Sequence, residues 1–477
     1  MKRIFVVLTT VGFLSACGGG GGGGSSSSGS TSPTTPTTPT VFASQVTISS
    51  DIAKNTYPTS YITTAQTPVI DDTCLLTASS ISYPTSYQGA YALPTKPSGQ
   101  TLASIPLGVS PIDSWASSVI QQNLKNPNVN AGCNTSLHDA FISTLSRIKA
   151  LGGSYVMVYQ WASPNSGTNP TAIVNPNISD ADLVWMAQQA KAAGLQIRLE
   201  LEVNQYGSDG TLMPSGTNLT TQWINQFFVA WSQFALKQAQ VANSAGYSAI
   251  DASWTGGWDP TRTNPAVSDT VFSNLLTLVS AIRGSFNGKL LFTDNFSVRP
   301  PQALINAVDI IQNTINQPYP LPSGLSQYNV TALKQLYVNR LALIKSTYGT
   351  KPIQVNIMVE SYTNALNYGY LTLQNGAVIQ QQNVEVSVHP NVEGYQCYSC
   401  NLANLPSADF SVQALAYEAI LESIHDNTWG LNFDSVNSTG YWLTDTILPT
   451  NNVGIPNLSE TIRNKPAESV VYQWWKK

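Results

Sequence analysis

The segment Ser179–Asn204, SDADLVWMAQQAKAAGLQIRLELEVN, contains one complete helix-to-strand unit. Ser179 and the aspartates after it are typical of a helix N-terminus. The apolar residues that follow share one helical face: Leu183, Met186, Ala187 and Ala190. Gly194 is a helix stop signal, and the residues after it alternate between apolar and charged as a β-strand does. The segment therefore predicts a helix that leads directly into a strand.

The same unit recurs from about residue 106 to the C-terminus. Eight short apolar segments are predicted strands: Leu107–Asp113, Ser154–Trp161, Leu195–Asn204, Gly246–Trp254, Lys289–Phe296, Val308–Asn316, Pro352–Glu360 and Trp429–Ser435. Strands that alternate with helices form parallel βαβ units, and eight units predict a closed (β/α)₈ TIM barrel over residues 106–477. The alternative is a doubly wound open sheet, which would need a glycine-rich phosphate loop after its first strand. The sequence shows no such loop.

The composition excludes several classes of protein. The 477 residues carry a net charge of −4, and only 10% of them are charged while 42% are hydrophobic. The acidic balance and the absence of basic runs argue against a nucleic-acid partner. The sequence contains no run of about 18 apolar residues, which argues against a multi-span membrane protein. A large, exported, monomeric globular domain with a neutral polar surface is expected.

The N-terminus resembles a bacterial lipoprotein signal. Residues 1–16 contain a basic start and a short apolar core, and Leu14-Ser15-Ala16-Cys17 matches a lipobox, so Cys17 is the predicted lipidation site. Gly18 follows that cysteine where an inner-membrane lipoprotein would have Asp, which predicts an anchor in the outer membrane of the cell envelope. Residues 17–40 form a Gly/Ser/Thr/Pro tether, and residues 41–105 a lead-in segment packed on the barrel.

Four further cysteines predict disulfides in an exported chain, and the expected pairs are Cys74–Cys133 and Cys397–Cys400. Zinc or redox chemistry at the CxxC of the second pair is the alternative, but no further soft ligands lie near it. The three histidines, His138, His389 and His425, have no metal-ligand spacing. We therefore expect neither a metal nor an organic cofactor.

Polar and aromatic residues cluster at the ends of the predicted strands. In this barrel class the functional site lies at the carboxyl ends of the strands, so their convergence predicts a binding cleft there. The carboxylates and amide expected to bind substrate are Glu202, Asn204, Asp294 and Asp434. The aromatic residues expected to stack on sugar rings are Trp161, Trp254, Trp258 and Tyr362. The alternative for the aromatic residues is that they fill the cores of loops.

Several stretches together resemble clan A glycoside hydrolases, and most of all the β-mannanase-like family 113. The stretches are Leu145–Tyr159 (LSRIKALGGSYVMVY), Val184–Glu202 (VWMAQQAKAAGLQIRLELE), Trp231–Ile250 (WSQFALKQAQVANSAGYSAI), Val412–Leu421 (VQALAYEAIL) and Ile462–Trp474 (IRNKPAESVVYQW). The resemblance covers about 370 residues. It implies an acid/base glutamate at the end of the fourth strand and a nucleophilic glutamate at the end of the seventh.

The sequence matches only half of that implied pattern. Glu360 ends the seventh predicted strand and is the expected nucleophile, with a strand-end hydrogen-bond network as the alternative role. The fourth strand carries no glutamate near Trp254. Asp251, three positions earlier, or Asp259, five positions later, would have to replace it. The alternative for Asp259 is a turn residue before Pro260.

The expected function is hydrolysis of glycosidic bonds in a β-linked poly- or oligosaccharide. A non-catalytic barrel that captures glycan at the cell surface is the first alternative, and a structural envelope lipoprotein is the second. The missing glutamate on the fourth strand favours the two alternatives, whereas the aromatic residues at the strand ends favour the two functions that bind carbohydrate.

Overall fold

The computed structural model describes residues 91–112, 137–251, 253–254, 258–294, 296–316, 327–363, 365–368, 371–374, 377–380, 409–441, 460–463 and 465–475. The signal segment, the tether and all five cysteines lie outside these residues, so lipidation at Cys17 and both disulfides stay predictions.

The strands are β1 (Leu107–Ile112), β2 (Tyr155–Pro164), β3 (Ile173–Val174), β4 (Gln196–Val203), β5 (Ala249–Asp251), β6 (Lys289–Thr293), β7 (Ile310–Asn316), β8 (Ile353–Met358), β9 (Leu371–Gln374), β10 (Ala377–Gln380) and β11 (Phe433–Ser438). The helices are α1 (Leu137–Leu151), α2 (Asp180–Ala192), α3 (Thr221–Ala245), α4 (Pro260–Thr263), α5 (Ser268–Arg283), α6 (Gln302–Ala307), α7 (Val330–Tyr348), α8 (Ala365–Tyr368), α9 (Phe410–Asp426) and α10 (Pro466–Trp475).

Eight parallel strands of the described chain close into a barrel. They pair in the order β1-β2-β4-β5-β6-β7-β8-β11, and β11 pairs with β1 to complete the ring. β3 is antiparallel to the end of β2, while β9 and β10 form a separate hairpin. This closure confirms the predicted TIM barrel and excludes the open doubly wound sheet.

The unit at residues 179–204 forms as the sequence predicts. The Ser179 hydroxyl accepts a hydrogen bond from the backbone N–H of Asp182 at 3.1 Å and caps α2. Gly194 has a positive φ of 70°, a conformation that glycine adopts at no steric cost, and it turns the chain from α2 into β4. The helix buries its apolar face and β4 is buried along nearly its whole length.

The interior of the barrel is unusually polar for buried parallel strands. The Arg198 guanidinium crosses it and donates to Gln354 Oε1 at 2.5 Å and to Ser435 Oγ at 3.0 Å. Because side chains alternate along β4, Glu200 and Glu202 face the same interior as Arg198. An apolar group fills the rest of that space: Tyr155, Met157, Tyr159, Ala249, Leu291 and Ile310.

The described end of the lead-in segment packs against the last two helices. The Tyr91 backbone N–H donates to Ser411 Oγ of α9 at 3.1 Å. The Leu102 N–H donates to the Trp474 carbonyl at 2.8 Å, and the Trp475 indole donates to the Ile105 carbonyl at 2.7 Å. These bonds join residues 91–105 to α9 and α10; the boundary predicted at residue 41 lies outside the described residues.

One helical stretch in the described residues, Pro265–Arg283, has the length and hydropathy of a membrane-spanning helix. It contains α5, which lies beside α3 around the barrel and buries Val271, Leu275 and Leu278. Core helices of barrels meet the same criterion of length and apolar character.

Candidate functional site

The carboxyl end of the barrel presents Trp161 and Glu202 side by side. The two residues are register partners on β2 and β4, and alternation from Tyr155 and Arg198 places both on the interior face. Glu202 is 8% exposed, and Trp161 is half-buried. A carboxylate beside a partly open indole therefore lines one wall of the cleft that the sequence predicts here.

Glu360 follows β8 on the opposite wall. Gln354 and Asn356 face the interior, so continued alternation carries Met358 and Glu360 to the same side. The Glu360 side chain is fully buried within a network of contacts, whereas Met358 below it is half-buried. Glu360 thus lies two residues past the end of β8, and its role as the nucleophile stays a prediction.

The register of the strands places these two carboxylates at similar heights. When the register of β4 with β5 is extended to the height of Glu202 and followed through β6 and β7, it reaches Gln354 on β8. In a barrel of this class such a line drops by about four residues over half the circumference. Glu202 is therefore level with Met358, and Glu360 lies about one side-chain layer higher on the facing wall.

Asp251, one of the two expected replacements for the missing acid, is fixed below the cleft. One of its carboxylate oxygens accepts hydrogen bonds from the Ser253 N–H at 2.8 Å and hydroxyl at 2.7 Å. The other accepts the Thr293 hydroxyl at 2.5 Å. With 1% exposure and these bonds, Asp251 joins β5 to β6. The structure does not support its predicted catalytic role.

Asp259, the other expected replacement, caps a helix. Its side chain accepts from the Thr261 N–H at 2.9 Å and hydroxyl at 2.7 Å, and from the Ser297 N–H at 2.8 Å. Asp259 is the N-cap of α4 and precedes Pro260 at the first helical position. This geometry fits the alternative of a turn residue before Pro260, and the catalytic role of Asp259 stays a prediction.

Trp254 and Trp258 lie inside an aromatic cluster and offer no open ring face to a sugar. They are 2% and 7% exposed, and the Trp254 indole donates to the Trp258 carbonyl at 3.0 Å. Rings from α3 and from the loop after β6 pack around them: Trp223, Phe227, Phe228, Trp231 and Phe296. Protein aromatics cover both rings, so the structure favours the alternative that they fill a loop core, and sugar stacking stays a prediction.

Asp294 ends β6 but faces away from the interior. Thr293 faces inward, where it bonds Asp251, so alternation turns Asp294 to the outer side of the barrel. Its charged neighbours are Arg340, Asp259 and Arg299. The pKa of Asp294 is raised to about 7, mainly by burial and to a smaller degree by the Asp259 charge, while the Phe296 N–H and the two arginines counter the shift only in part. The predicted substrate contact is not supported by this position.

Asp434 lies at the opposite end of the barrel from the cleft. β11 begins at Phe433, four residues later than predicted, so Asp434 starts the strand instead of ending it. The carboxylate pairs with Arg198 at 3.1 Å and Lys289 at 2.6 Å. Burial acts to raise the pKa of Asp434, but Arg198 and Lys289 outweigh it and hold the pKa below its usual value. This position does not support its role in substrate binding, which stays a prediction.

Asn204 and Tyr362 complete the predicted set. Asn204 is half-buried just past β4, and its side-chain carbonyl accepts the Tyr206 N–H at 3.0 Å, which shapes the loop at the cleft. The Tyr362 ring is fully buried and in contact with its surroundings, so it offers no surface for sugar stacking. Of the predicted residues, the structure brings Trp161, Glu202, Asn204 and Glu360 to the carboxyl end of the barrel.

Sequence reasoning missed a band of polar side chains inside the barrel. Gln312, Gln354 and Asn356 are linked by hydrogen bonds of 2.6 and 2.9 Å, and Asn437 bonds Ser110 at 3.2 Å. Parallel strands that are buried on both faces are normally runs of apolar residues. Polar residues at every second position of β7, β8 and β11 were the signal that could have revealed this band.

The described residues contain no group of three or more His, Cys, Asp or Glu side chains that could hold a metal ion. The expectation that the protein uses no metal or organic cofactor stays a prediction.

No protein-family profile matches this sequence, and no curated protein is significantly similar to it. Solved structures of similar fold are glycoside hydrolases. One is the GH113 β-mannanase AaManA of Alicyclobacillus acidocaldarius in complex with ManMIm, with 15% identity and a TM-score of 0.47 over 78% of this chain and 96% of that chain. Another is the Ignisphaera aggregans GH53 catalytic domain, with 15% identity and a TM-score of 0.42 over 81% and 99%.

A third is the GH5_18 protein of Streptomyces cattleya in complex with GlcNAc, with 12% identity and a TM-score of 0.43 over 78% and 80%. With TM-scores below 0.5, these likenesses carry no argument about activity or about the role of any residue.

Proposed function

We propose that this protein is a glycoside hydrolase that acts on a neutral β-linked glycan, with Glu202 and Glu360 as its carboxylate pair. The observation that carries the proposal is their placement on facing walls at the carboxyl end of the barrel, about one side-chain layer apart in height. Hydrolysis of a glycosidic bond needs two such carboxyl groups on either side of the scissile bond.

The two groups have separate roles in this mechanism. Glu360 attacks the anomeric carbon or activates a water, and Glu202 gives its proton to the leaving oxygen. Trp161 lies in register beside Glu202 and is partly open, so its ring face can stack on the C–H face of a pyranose. This assignment moves the acid from the fourth barrel strand, where the family resemblance implied it, to the third.

Carbohydrate capture without hydrolysis is the second candidate function. It is favoured by the absence of an available carboxylate near the end of β5 in the described residues. The two carboxylates near the end of that strand, Asp251 and Asp259, are held by protein hydrogen bonds. A barrel without a general acid could still bind a glycan in its cleft but would not hydrolyse it.

A hydrolysis screen on the purified full-length protein with neutral β-linked glycans tests both candidates. Glu360→Gln and Glu202→Gln should each lower turnover at least about 100-fold while sparing glycan affinity, because shape is kept and only the reacting group is lost. Glu422→Gln, which removes a carboxylate of α9 that pairs with Lys334 of α7, is the matched control and should not change turnover. Glycan binding without hydrolysis in the wild type would favour capture.

We also propose that the protein is a monomer anchored by lipid to the cell envelope, in the outer membrane. The lipobox ending at Cys17 and the tether after it support this location. Cys17→Ala should release the protein into the soluble fraction. A variant that stays with the membrane would contradict lipid anchoring.

A further inference from the structure

A donor and an acceptor lie side by side on the interior face of the barrel, below Glu360. Asn356 on β8 is register partner to Asn437 on β11 and to Thr314 on β7. All three face the interior, because Gln354, Ser435 and Gln312, two positions before each, bond one another or Arg198 there. Asn356 lies two side-chain layers below Glu360 on the same strand face.

The orientation of the Asn356 amide is fixed by a chain of hydrogen bonds that begins at Arg198. A guanidinium only donates, so Gln354 Oε1 must be the atom that accepts from it at 2.5 Å. Gln354 Nε2 then donates to Gln312 Oε1 at 2.6 Å and to Asn356 Oδ1 at 2.9 Å. The Asn356 Nδ2 group is therefore a donor, and it has no hydrogen-bond acceptor among the described residues.

Asn437 supplies the complementary atom. Its Nδ2 donates to Ser110 Oγ at 3.2 Å, and its buried Oδ1 has no hydrogen-bond partner among the described residues. Asn437 is fully buried, and a buried polar atom without a partner costs folding free energy. In this orientation of the amide, the unmet atom of Asn437 is an acceptor and complements the Asn356 donor.

A hydroxyl group is the neutral group that satisfies both atoms. It accepts from Asn356 Nδ2 through its oxygen and donates to Asn437 Oδ1 through its proton. A carboxylate would leave the Asn437 acceptor unmet, and an ammonium would leave the Asn356 donor unmet. Thr314, their register neighbour on β7, is half-buried, whereas Asn356 and Asn437 are buried.

We propose that Asn356 and Asn437 form a subsite for one hydroxyl group of the glycan, at the floor of the cleft. This inference rests on the proposed function, because it makes the deepest hydroxyl of the bound sugar a determinant of specificity. The site selects a ligand that carries this hydroxyl and rejects the deoxy analogue, since removal of the hydroxyl leaves the buried Asn437 Oδ1 without a partner among the described residues.

Calorimetric titration of the full-length protein with a panel of β-1,4-linked disaccharides (mannobiose, cellobiose, xylobiose and chitobiose) and their monodeoxy derivatives tests this site. We expect one deoxy derivative to bind the wild type at least 10-fold more weakly than its parent, about 1.4 kcal/mol. Asn356→Leu and Asn437→Leu should weaken binding of the parent sugar to the same degree, and should bind that deoxy derivative as well as the parent. Asn313→Leu, on the outer side of β7, is the matched control and should keep the wild-type preference.

The outcomes separate the subsite from the proposed function. If the wild type binds and hydrolyses sugar but both leucine variants keep its affinity within twofold, the pair holds only a buried water and the subsite is refuted. If the wild type neither binds nor hydrolyses any neutral glycan, the proposed function fails and the subsite fails with it. The melting temperature of each variant checks folding, and Asn437→Ser provides a smaller polar substitution if the leucine variant does not fold.

Discussion

Asp294→Asn should make the protein more stable at pH 8 and leave its stability at pH 4 nearly unchanged. Burial raises the pKa of this carboxyl from 3.8 to about 7, and its buried Oδ1 has no hydrogen-bond partner among the described residues. The folded state therefore binds the proton more tightly than the unfolded chain does. Between about pH 4 and pH 7 the unfolded chain binds fewer protons, so the free energy of unfolding falls as the pH rises.

The size of the effect follows from the shift. A change from 3.8 to about 7 corresponds to at most about 4 kcal/mol, because each pKa unit is worth about 1.36 kcal/mol. The side chain is only partly shielded from water, which lowers the expected value to about 2 kcal/mol. An asparagine has the same shape and no charge to desolvate, so the variant keeps at pH 8 the stability that the wild type loses.

Urea unfolding of wild type and variant at one-unit steps from pH 4 to pH 8 measures this difference. Asp309→Asn is the matched control, because Asp309 is an exposed carboxylate paired with Arg283 at 2.6 Å. The control should show no gain in stability at high pH. A difference between wild type and Asp294→Asn that is the same at pH 4 and pH 8, or a variant that is less stable at pH 8, would refute the reasoning.

Two further predictions test the residues that the structure removes from the cleft. Trp254→Ala should lower the free energy of unfolding by about 3–5 kcal/mol, measured by urea titration, and should leave the glycan affinity of the folded protein unchanged, because the ring fills an aromatic cluster. Asp434→Asn should destabilise the protein at pH 7 without changing glycan affinity in calorimetry, because the lost charge pairs with Arg198 and Lys289 at the far end of the barrel while the bond from Arg198 to Gln354 is kept. Since the pKa of Asp434 lies below its usual value, the stability that this carboxylate contributes is present above about pH 4 and is lost as the pH falls below that. A loss of glycan affinity in either variant would contradict these placements.

The strand-helix pattern predicted the barrel because each unit contains its own local signals. Ser179 and Gly194 bound α2 as expected, and all eight predicted strands are present. Alternation along one strand was also enough to place Glu202 on the interior face. These features depend on short-range sequence, where side-chain period and capping chemistry determine the structure.

The sequence of a single strand was not enough to predict where the residues at its ends lie in the barrel. A four-residue error in the start of β11 moved Asp434 from one end of the barrel to the other, because strand length decides the end at which a residue lies. Trp254 was misplaced because its partners come from a distant helix. Residues 223, 227 and 231 are aromatic and lie four positions apart on one face of α3, and that face covers the Trp254 indole. The aromatic pattern on α3 is visible in the sequence, but its contact with residue 254 could not be predicted from it.

The polar barrel interior links the end that holds the ion pairs to the end that holds the cleft. Arg198 pairs with Asp434 at one end and fixes Gln354, which in turn fixes the Asn356 amide. Buried amides of this kind destabilise a core unless every polar atom has a partner, and an apolar interior of the same volume would serve folding at least as well. The orientation that Arg198 imposes on Asn356 therefore preorganises the proposed floor beneath Glu360 and adds little to stability. On this argument Arg198, far from the ligand, is a positioning residue for the hydroxyl subsite.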